Sequence, residues 1–281
     1  MGFLRELFRL TRFEHALMLA FGVFIAEAIV YGGLPPLEYY VFFSLLVPIF
    51  SEMGSFALND YFDIETDRRN KKIDRPLVRG TIPPRFALWF SVSCFVLSVL
   101  SAIPINATAL AIAVVFNLLA AAYNWKLKDF PLIGNSYIAL TMAIPFIFGN
   151  FVVSETLSPI ALALAAMGFV AGLAREIVKS VQDMEGDMLA RGSKTLPVII
   201  GKRPAEVLAS LLYLAFVPLS FSPFFLGMPF TAIALALIGA GDALILLGVF
   251  GVLAKGDYKK ARNYSLYAFM LGMAGFLVAI L

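Results

Sequence analysis

The chain has 281 residues, of which 60% are hydrophobic and 15% charged, with a formal net charge of +3 and a mean hydropathy of +0.87. Soluble domains are about 45–50% apolar and about 25% charged, so this composition excludes an ordinary soluble protein. The single cysteine, Cys94, excludes an internal disulfide.

The apolar residues fall into continuous segments that approach the roughly 20 residues needed to cross a membrane. Strict alternation is missing, which favours helices over barrel strands. In chain order the nine segments are 13–31, 39–58, 86–103, 107–123, 134–153, 159–176, 205–221, 230–254 and 263–281. We therefore predict an all-α membrane protein, in which residues 1–281 form one domain of nine transmembrane helices around a central cavity. The first segment lacks a clear cleavage site, so we interpret it as a span and not as a signal peptide.

The positive charges test this topology. With nine spans, all 22 Lys and Arg residues fall on one side: in the N-terminal stretch, in the connections after spans two, four, six and eight, or, for Arg175, at the end of span six. The positive-inside rule then predicts a cell-membrane protein whose N-terminus and basic connections are cytoplasmic. So complete a bias also suggests that this side meets anions, either lipid head groups or substrate.

The two longest connections, 59–85 and 177–204, repeat one acidic pattern. Asp63 and Asp67 recur as Asp183 and Asp187. Each residue of the second pair lies 120 positions after its counterpart in the first. Both copies follow even-numbered spans, which predicts a parallel internal repeat and a pseudo-twofold axis along the membrane normal.

Residues four apart on a helix share a face, so each acidic pair directs two carboxylates to one point. Mg²⁺ is usually held by one or two carboxylates together with substrate phosphates. Asn59 lies one turn before Asp63 and can add an amide oxygen. The pattern therefore predicts magnesium and a phosphorylated substrate, with nearby Lys and Arg neutralising phosphate oxygens.

These motifs resemble those of the UbiA-type intramembrane prenyltransferases. The stretch Asn59-Asp60-Tyr61-Phe62-Asp63-Ile64-Glu65-Thr66-Asp67 is similar to their first aspartate motif, and Asp183-Met184-Glu185-Gly186-Asp187 to their second. Tyr123-Asn124-Trp125-Lys126-Leu127-Lys128 resembles their central loop. Within the family, the second motif with Lys194-Thr195-Leu196-Pro197 looks most like the archaeal digeranylgeranylglyceryl phosphate synthases.

The resemblance implies roles for individual residues. Asp63, Asp67, Asp183 and Asp187 are the implied catalytic residues, and with Asn59 they are the implied magnesium ligands. Further residues are implied to bind diphosphate or substrate: Asn59, Arg12, His15, Arg68, Tyr123, Lys126, Lys128, Lys179 and Lys194. His15 departs from the archaeal lipid enzymes, which tend to have Asn at this position.

The implied reaction is transfer of a geranylgeranyl group from its diphosphate to the hydroxyl of geranylgeranylglyceryl phosphate, with release of diphosphate. The implied partners are a prenyl diphosphate donor, a lipid acceptor and membrane lipids, with no nucleic acid. No general base stands out, and a diphosphate oxygen is the hypothetical proton acceptor. Two alternatives stay open: prenyl transfer to an aromatic acceptor such as 4-hydroxybenzoate, and a membrane transporter, which the acidic pairs at one membrane face disfavour.

Overall fold

The computed structural model describes residues 2–69, 71–130, 132–191 and 195–281, with side chains described in these ranges except for 185–191. Every regular element in the described ranges is helical, and nine of these helices are long and apolar enough to cross a membrane. The predicted all-α fold with nine membrane-spanning helices is confirmed. The central cavity and the pseudo-twofold axis stay predictions.

The helices are numbered here in chain order. They are α1 (Phe3–Thr11), α2 (Phe13–Tyr31), α3 (Tyr39–Phe62), α4 (Ile64–Arg69), α5 (Pro76–Arg79), α6 (Pro84–Ala102), α7 (Ala107–Trp125), α8 (Ile133–Val153), α9 (Pro159–Arg191), α10 (Leu196–Ile200), α11 (Lys202–Leu219), α12 (Ser222–Phe225), α13 (Ala232–Phe250) and α14 (Tyr258–Ile280). A 3₁₀ turn at Leu127–Asp129 and a π-helical turn at Gly251–Lys255 complete the set.

The ends of the membrane helices differ from the predicted segments where a helix outlasts its apolar stretch. Helix α9 runs from Pro159 to Arg191, well past the predicted end of its apolar segment at residue 176. The extension, residues 177–191, contains Glu, Lys, Gln, Met, Leu and Ala, which are good helix formers, and it contains no proline. Helix propensity therefore carries the second acidic motif on a continuous helix.

A short amphipathic helix, α1, precedes the first span and was not predicted. Its residues Phe3 and Phe8 are 55% and 45% exposed, while Glu6 and Leu10 are buried. A helix with one exposed apolar face and charged neighbours suits the membrane interface. Its nine residues are too few for the apolar segments by which the spans were recognised.

Glu6 ties α1 to the connection between α5 and α6. Its carboxylate accepts hydrogen bonds from the Arg79 guanidinium and from the Thr81 hydroxyl, the latter at 2.9 Å. Burial alone raises the pKa of Glu6, but the hydrogen bonds from Thr81 and Arg79 and the charges of Arg79 and Arg9 outweigh it, so the pKa lies below its ordinary 4.5. The ionised carboxylate therefore holds this connection against α1.

Two compact units make up the chain. The first consists of Met1–Phe24 and Pro36–Lys128, and the second of Ile25–Pro35 and Asp129–Leu281. Helix α2 contributes to both, because the boundary follows Phe24. The single membrane domain stays a prediction.

In the first unit, α3 is held on two sides by hydrogen bonds between membrane helices. The Ser91 hydroxyl on α6 donates to the Gly54 carbonyl at 2.8 Å. The Ser51 hydroxyl donates to Asn117 Oδ1 on α7 at 2.7 Å. Such bonds join helices where lipid offers no hydrophobic driving force between them. They fix the position of α3, whose last turn carries the first acidic motif.

In the second unit, α9 packs closely against α8 through glycines. A methyl group built at Gly168 would lie 2.4 Å from the Met142 carbonyl oxygen. At Gly172 it would lie 2.9 Å from the Met142 sulfur and 3.2 Å from the Ala139 Cα. Small residues four apart let two membrane helices approach in this way.

We expect Gly168→Ala to destabilise the protein by about 1–3 kcal/mol, because the added methyl overlaps a backbone atom of α8 that cannot move aside cheaply. The measurement is the thermal unfolding midpoint in detergent micelles. Gly239→Ala on α13 is the matched control, since a methyl there meets no described atom within 4 Å. A Gly168→Ala protein as stable as the wild type would contradict this account of the α8–α9 contact.

Candidate functional site

The first acidic motif lies where α3 gives way to α4. Asp63 caps α3 with φ −94° and ψ 2°, which departs from helical geometry. Backbone hydrogen bonds nevertheless continue in helical spacing, from Asp63 N–H to Asn59 O at 2.9 Å and from Asp67 N–H to Asp63 O at 2.7 Å. The motif is therefore a bent but continuous turn.

Asp63 is 8% exposed, and its carboxylate accepts hydrogen bonds from two other side chains. Its Oδ1 accepts from Lys128 Nζ at 2.5 Å, and its Oδ2 accepts from Asn59 Nδ2 at 3.1 Å. Asn59 Nδ2 also donates to Asn124 Oδ1 at 3.1 Å. The Asn124 amide nitrogen donates to the Ala120 carbonyl at 2.9 Å, which turns its oxygen towards Asn59. This chain of amides holds the Asp63 carboxylate in one orientation.

Asp67 lies on α4 and is 3% exposed. Its Oδ1 accepts from Lys72 Nζ at 2.9 Å, and its Oδ2 lies 4.0 Å from Arg75 Nε. Both acidic residues of the first pair are thus buried. Asp63 is paired with Lys128, and Asp67 with Lys72. A phosphate entering here would meet cations already in place.

A third carboxylate, Asp60, was not among the predicted site residues. It is 1% exposed, and its Oδ1 lies 3.1 Å from Arg12 NH2 and 2.5 Å from Arg75 NH1. The Arg12 guanidinium also lies over the Phe56 ring, 4.1 Å from its centroid. Asp60 therefore joins the start of α2 and the connection after α4 to the last turn of α3.

The second acidic motif belongs to the second unit and lies on α9. Asp183 is exposed, and Asp187 follows one turn later with a side chain outside the described set. Lys179 Nζ lies 2.6 Å from Glu176 Oε1, one turn nearer the middle of the helix. Lys194 lies outside the described residues.

The sequence profile of the UbiA prenyltransferase family matches residues 19–273. The chain belongs to the UbiA prenyltransferase family. The digeranylgeranylglyceryl phosphate synthase of Archaeoglobus fulgidus is 36% identical over 281 residues, covering 98% of this chain and 94% of that relative. The family resemblance predicted from the motifs is confirmed.

Solved structures agree with this membership. One, concerned with digeranylgeranylglyceryl phosphate synthase in membranes, is 28% identical, with a TM-score of 0.78 over 99% of this chain and 98% of that chain. A UbiA homolog from Archaeoglobus fulgidus bound to DMAPP and Mg²⁺ is 22% identical, with a TM-score of 0.72 over 98% of this chain and 99% of its own. The latter shows the shared fold.

In this UbiA-family chain, some of the remaining predicted residues contact the first acidic motif and others do not. Arg12 and Lys128 are in contact with the acidic turn, through Asp60 and Asp63 respectively. Arg68 instead pairs at 2.8 Å with Glu65 on the exposed side of α4. The predicted phosphate contact of Arg68 stays a prediction.

Three further predicted residues lie at helix ends in the first unit. His15 is on the first turn of α2, where its ring meets Phe56 edge-on with centroids 5.6 Å apart. Tyr123 is in the last turn of α7, and Lys126 follows that helix as an exposed C-cap. Their substrate-binding roles stay predictions.

The residues of the first unit fit magnesium by the chemistry of their donors. Asp63 and Asp67 offer hard carboxylate oxygens, and Mg²⁺ ordinarily takes one or two of these with substrate phosphates completing its shell. Across the described residues, no three His, Cys, Asp or Glu side chains form a ready metal cage. The site therefore suits an ion that arrives with a phosphorylated ligand.

Proposed function

We propose that this protein transfers a geranylgeranyl group from geranylgeranyl diphosphate to the hydroxyl of geranylgeranylglyceryl phosphate, forming an ether and releasing diphosphate. The observation that carries prenyl transfer is the buried Asp63, oriented by Asn59 and paired with Lys128 at the end of a membrane helix. The donor chain and the acceptor come from the named activity of the relative that is 36% identical along nearly the whole chain.

In the proposed reaction the bond between the allylic carbon and the diphosphate oxygen breaks, and the diphosphate keeps the electron pair. Lys128 and Lys72 are placed to exchange their carboxylate partners for the oxygens of the departing group. Such pre-placed cations stabilise negative charge as it develops. The acceptor oxygen then bonds to the carbon, and we assign its proton to an oxygen of the departing diphosphate.

Magnesium is part of the proposal. Bound by Asp63 and Asp67, it would supply Lewis-acid stabilisation of the leaving diphosphate. We assign Asp183 and Asp187 the same role from their matched sequence motif. Support for the ion comes from the carboxylate donors, and the related structure with DMAPP and Mg²⁺ is consistent with it.

The proposal places the chain in the cell membrane with its N-terminus and basic connections in the cytoplasm. The support is that all 22 Lys and Arg residues lie in one set of connections or, for Arg175, at the edge of one of them. Both acidic motifs would then meet water-soluble magnesium and release diphosphate on the cytoplasmic side.

The deciding experiment incubates purified protein with labelled geranylgeranyl diphosphate and either geranylgeranylglyceryl phosphate or 4-hydroxybenzoate, with Mg²⁺ or with EDTA. We expect a labelled ether lipid with the first acceptor alone, and its loss with EDTA. Prenylation of 4-hydroxybenzoate alone would support the aromatic alternative instead. Product formation that is insensitive to EDTA would overturn the magnesium assignment.

A further inference from the structure

Two arginines near helix ends in the second unit, Arg175 and Arg262, have no ion-pair partner among the side chains that the structure describes. Arg175 lies on α9, at the end of the apolar segment 159–176, and Arg262 lies on the first turns of α14. Within the described part of the chain, no carboxylate lies within ion-pairing distance of either guanidinium, and the Nε of each is buried without a hydrogen-bond partner. Burying part of a charged group costs free energy unless a partner compensates the charge.

The two guanidiniums belong to one cluster. Electrostatic interactions connect Arg175 to Arg262, to Glu176 and to the Tyr213 hydroxyl. Arg262 NH1 also donates to Gln182 Oε1 at 3.2 Å, which connects α14 to α9. Two like charges in one cluster repel each other, and an anion between them relieves that repulsion.

The neighbouring carboxylates are engaged by other cations. Glu176 pairs with Lys179 at 2.6 Å. Glu206 on α11 pairs with Arg203 at 3.0 Å and accepts a hydrogen bond from the Tyr258 hydroxyl. Among the described side chains, Glu176 and Glu206 therefore do not balance the positive charge of the arginine pair.

Tyr213 adds a third donor. It is 1% exposed on α11, and its hydroxyl lies near the Ser265 side chain but forms no hydrogen bond of normal geometry with the described groups. The adjacent Ser265 hydroxyl donates to the Arg262 carbonyl at 2.8 Å. A buried tyrosine hydroxyl ordinarily forms a well-aligned hydrogen bond, so the Tyr213 hydroxyl is available to donate one to a ligand.

The donors define what the ligand is. Guanidinium groups donate hydrogen bonds and cannot accept them, so the missing partner is rich in acceptor oxygens and carries negative charge. Phosphate suits the planar fork of arginine. A cluster built on free cations, with its carboxylates already paired, suits a phosphate that binds without a metal ion.

We propose that Arg175, Arg262 and Tyr213 form the subsite for the phosphate group of the lipid acceptor. This inference rests on the proposed function, which gives the acceptor a phosphomonoester. Arg175 and Asp183 are eight residues apart on α9, a separation of about 12 Å along the helix. The acceptor phosphate is thus held apart from the acidic motif to which the donor diphosphate is assigned.

The kinetic test uses Arg175→Gln, Arg262→Gln and Tyr213→Phe. Loss of a charge-assisted hydrogen bond should raise KM for geranylgeranylglyceryl phosphate about tenfold or more in each arginine variant, and less in Tyr213→Phe. Values of kcat and of KM for geranylgeranyl diphosphate should stay within about twofold of the wild type. Arg175→Lys should recover part of the acceptor affinity.

Lys259→Gln is the matched control, because Lys259 is an exposed cation on α14, three residues before Arg262. It should leave both KM values unchanged. Equal increases in KM for donor and acceptor would indicate that the cluster binds the donor diphosphate, which would overturn the proposal. An unchanged KM for the acceptor would overturn it as well.

A binding measurement that needs no turnover separates this inference from the proposed function. Thermal shifts of the detergent-solubilised protein are compared for geranylgeranylglyceryl phosphate, geranylgeranylglycerol, inorganic phosphate and an anionic phospholipid. We expect the largest shift with the first, and its loss in Arg175→Gln and in Tyr213→Phe. An equal shift with inorganic phosphate or with the phospholipid would make this a general phosphate site and overturn the acceptor assignment.

Absence of transfer by the wild type would refute the proposed function while leaving this binding result intact. If Arg175→Gln does not fold, Tyr213→Phe, which removes one oxygen, gives the same comparison. Retention of the full phosphate-dependent shift by Tyr213→Phe and Arg262→Gln would then overturn the subsite.

Discussion

Asp63→Asn is expected to lower kcat for geranylgeranyl transfer by about 10²–10³, the loss typical of removing one pre-placed stabilising group. The side chain is 8% exposed and holds Lys128 at 2.5 Å and Asn59 at 3.1 Å. Asparagine keeps the shape but removes the charge that positions the lysine and that would hold Mg²⁺. The measurement is kcat with saturating geranylgeranyl diphosphate, acceptor and Mg²⁺, after gel filtration shows a folded protein.

Glu65→Gln is the matched control for this prediction. Glu65 lies in the same motif, but its side chain is 75% exposed and pairs with Arg68 at 2.8 Å. Its removal should leave kcat close to the wild-type value. Wild-type kcat in Asp63→Asn, with the same dependence on Mg²⁺, would refute the role assigned to the first acidic motif.

The membrane helices could be predicted from the sequence because length and hydrophobicity determine them almost alone. Helix α1 could not, since nine residues with Arg5, Glu6 and Arg9 look like a basic terminus until tertiary contacts bury Glu6 and Leu10. The extension of α9 to Arg191 was missed for a related reason: a hydropathy boundary marks the membrane surface, and helix propensity continues beyond it.

Within the site, residue types identified Asp63 and Asp67 as acidic partners, and the structure brings both to one bent turn. Sequence reasoning gave Asp60 no role, because Asp60 and Asp63 are both acids of the same motif and differ in which neighbours they meet. Those neighbours, Arg12 and Arg75, are far from Asp60 in sequence, so the pairing depends on the folded chain. The available signal in the sequence was that Asp60 directly follows Asn59, within the first acidic motif.

The same limit applies to the arginine cluster of the second unit. Arg175, Tyr213 and Arg262 lie on three helices and share no sequence pattern. Each looks ordinary in its own segment. The unpartnered buried atoms, which are Nε of Arg175 and Arg262 and the Tyr213 hydroxyl oxygen, become visible only when α9, α11 and α14 are packed, and together they point to an anionic ligand.

Asp60→Asn is expected to destabilise the first unit by about 2–3 kcal/mol, because removing one partner of a buried ion pair leaves the other charge uncompensated. Asp60 is 1% exposed, and the side chains of Arg12 and Arg75 are 25% and 21% exposed, so water relieves part of the loss. The measurement is the thermal unfolding midpoint in detergent. Asp74→Asn is the control, since Asp74 is an exposed acid in the same connection as Arg75.

The kinetic signature of Asp60→Asn separates positioning from direct catalysis. Arg75 also lies 4.0 Å from Asp67, so releasing it from Asp60 disturbs the cation beside the second carboxylate of the motif. We expect kcat to fall less than in Asp63→Asn and the Mg²⁺ concentration for half-maximal rate to rise only modestly. A stability equal to that of Asp74→Asn would show that Asp60 does not hold the turn together. A fall in kcat as large as that expected for Asp63→Asn, with a large rise in the Mg²⁺ concentration for half-maximal rate, would make Asp60 a ligand in its own right.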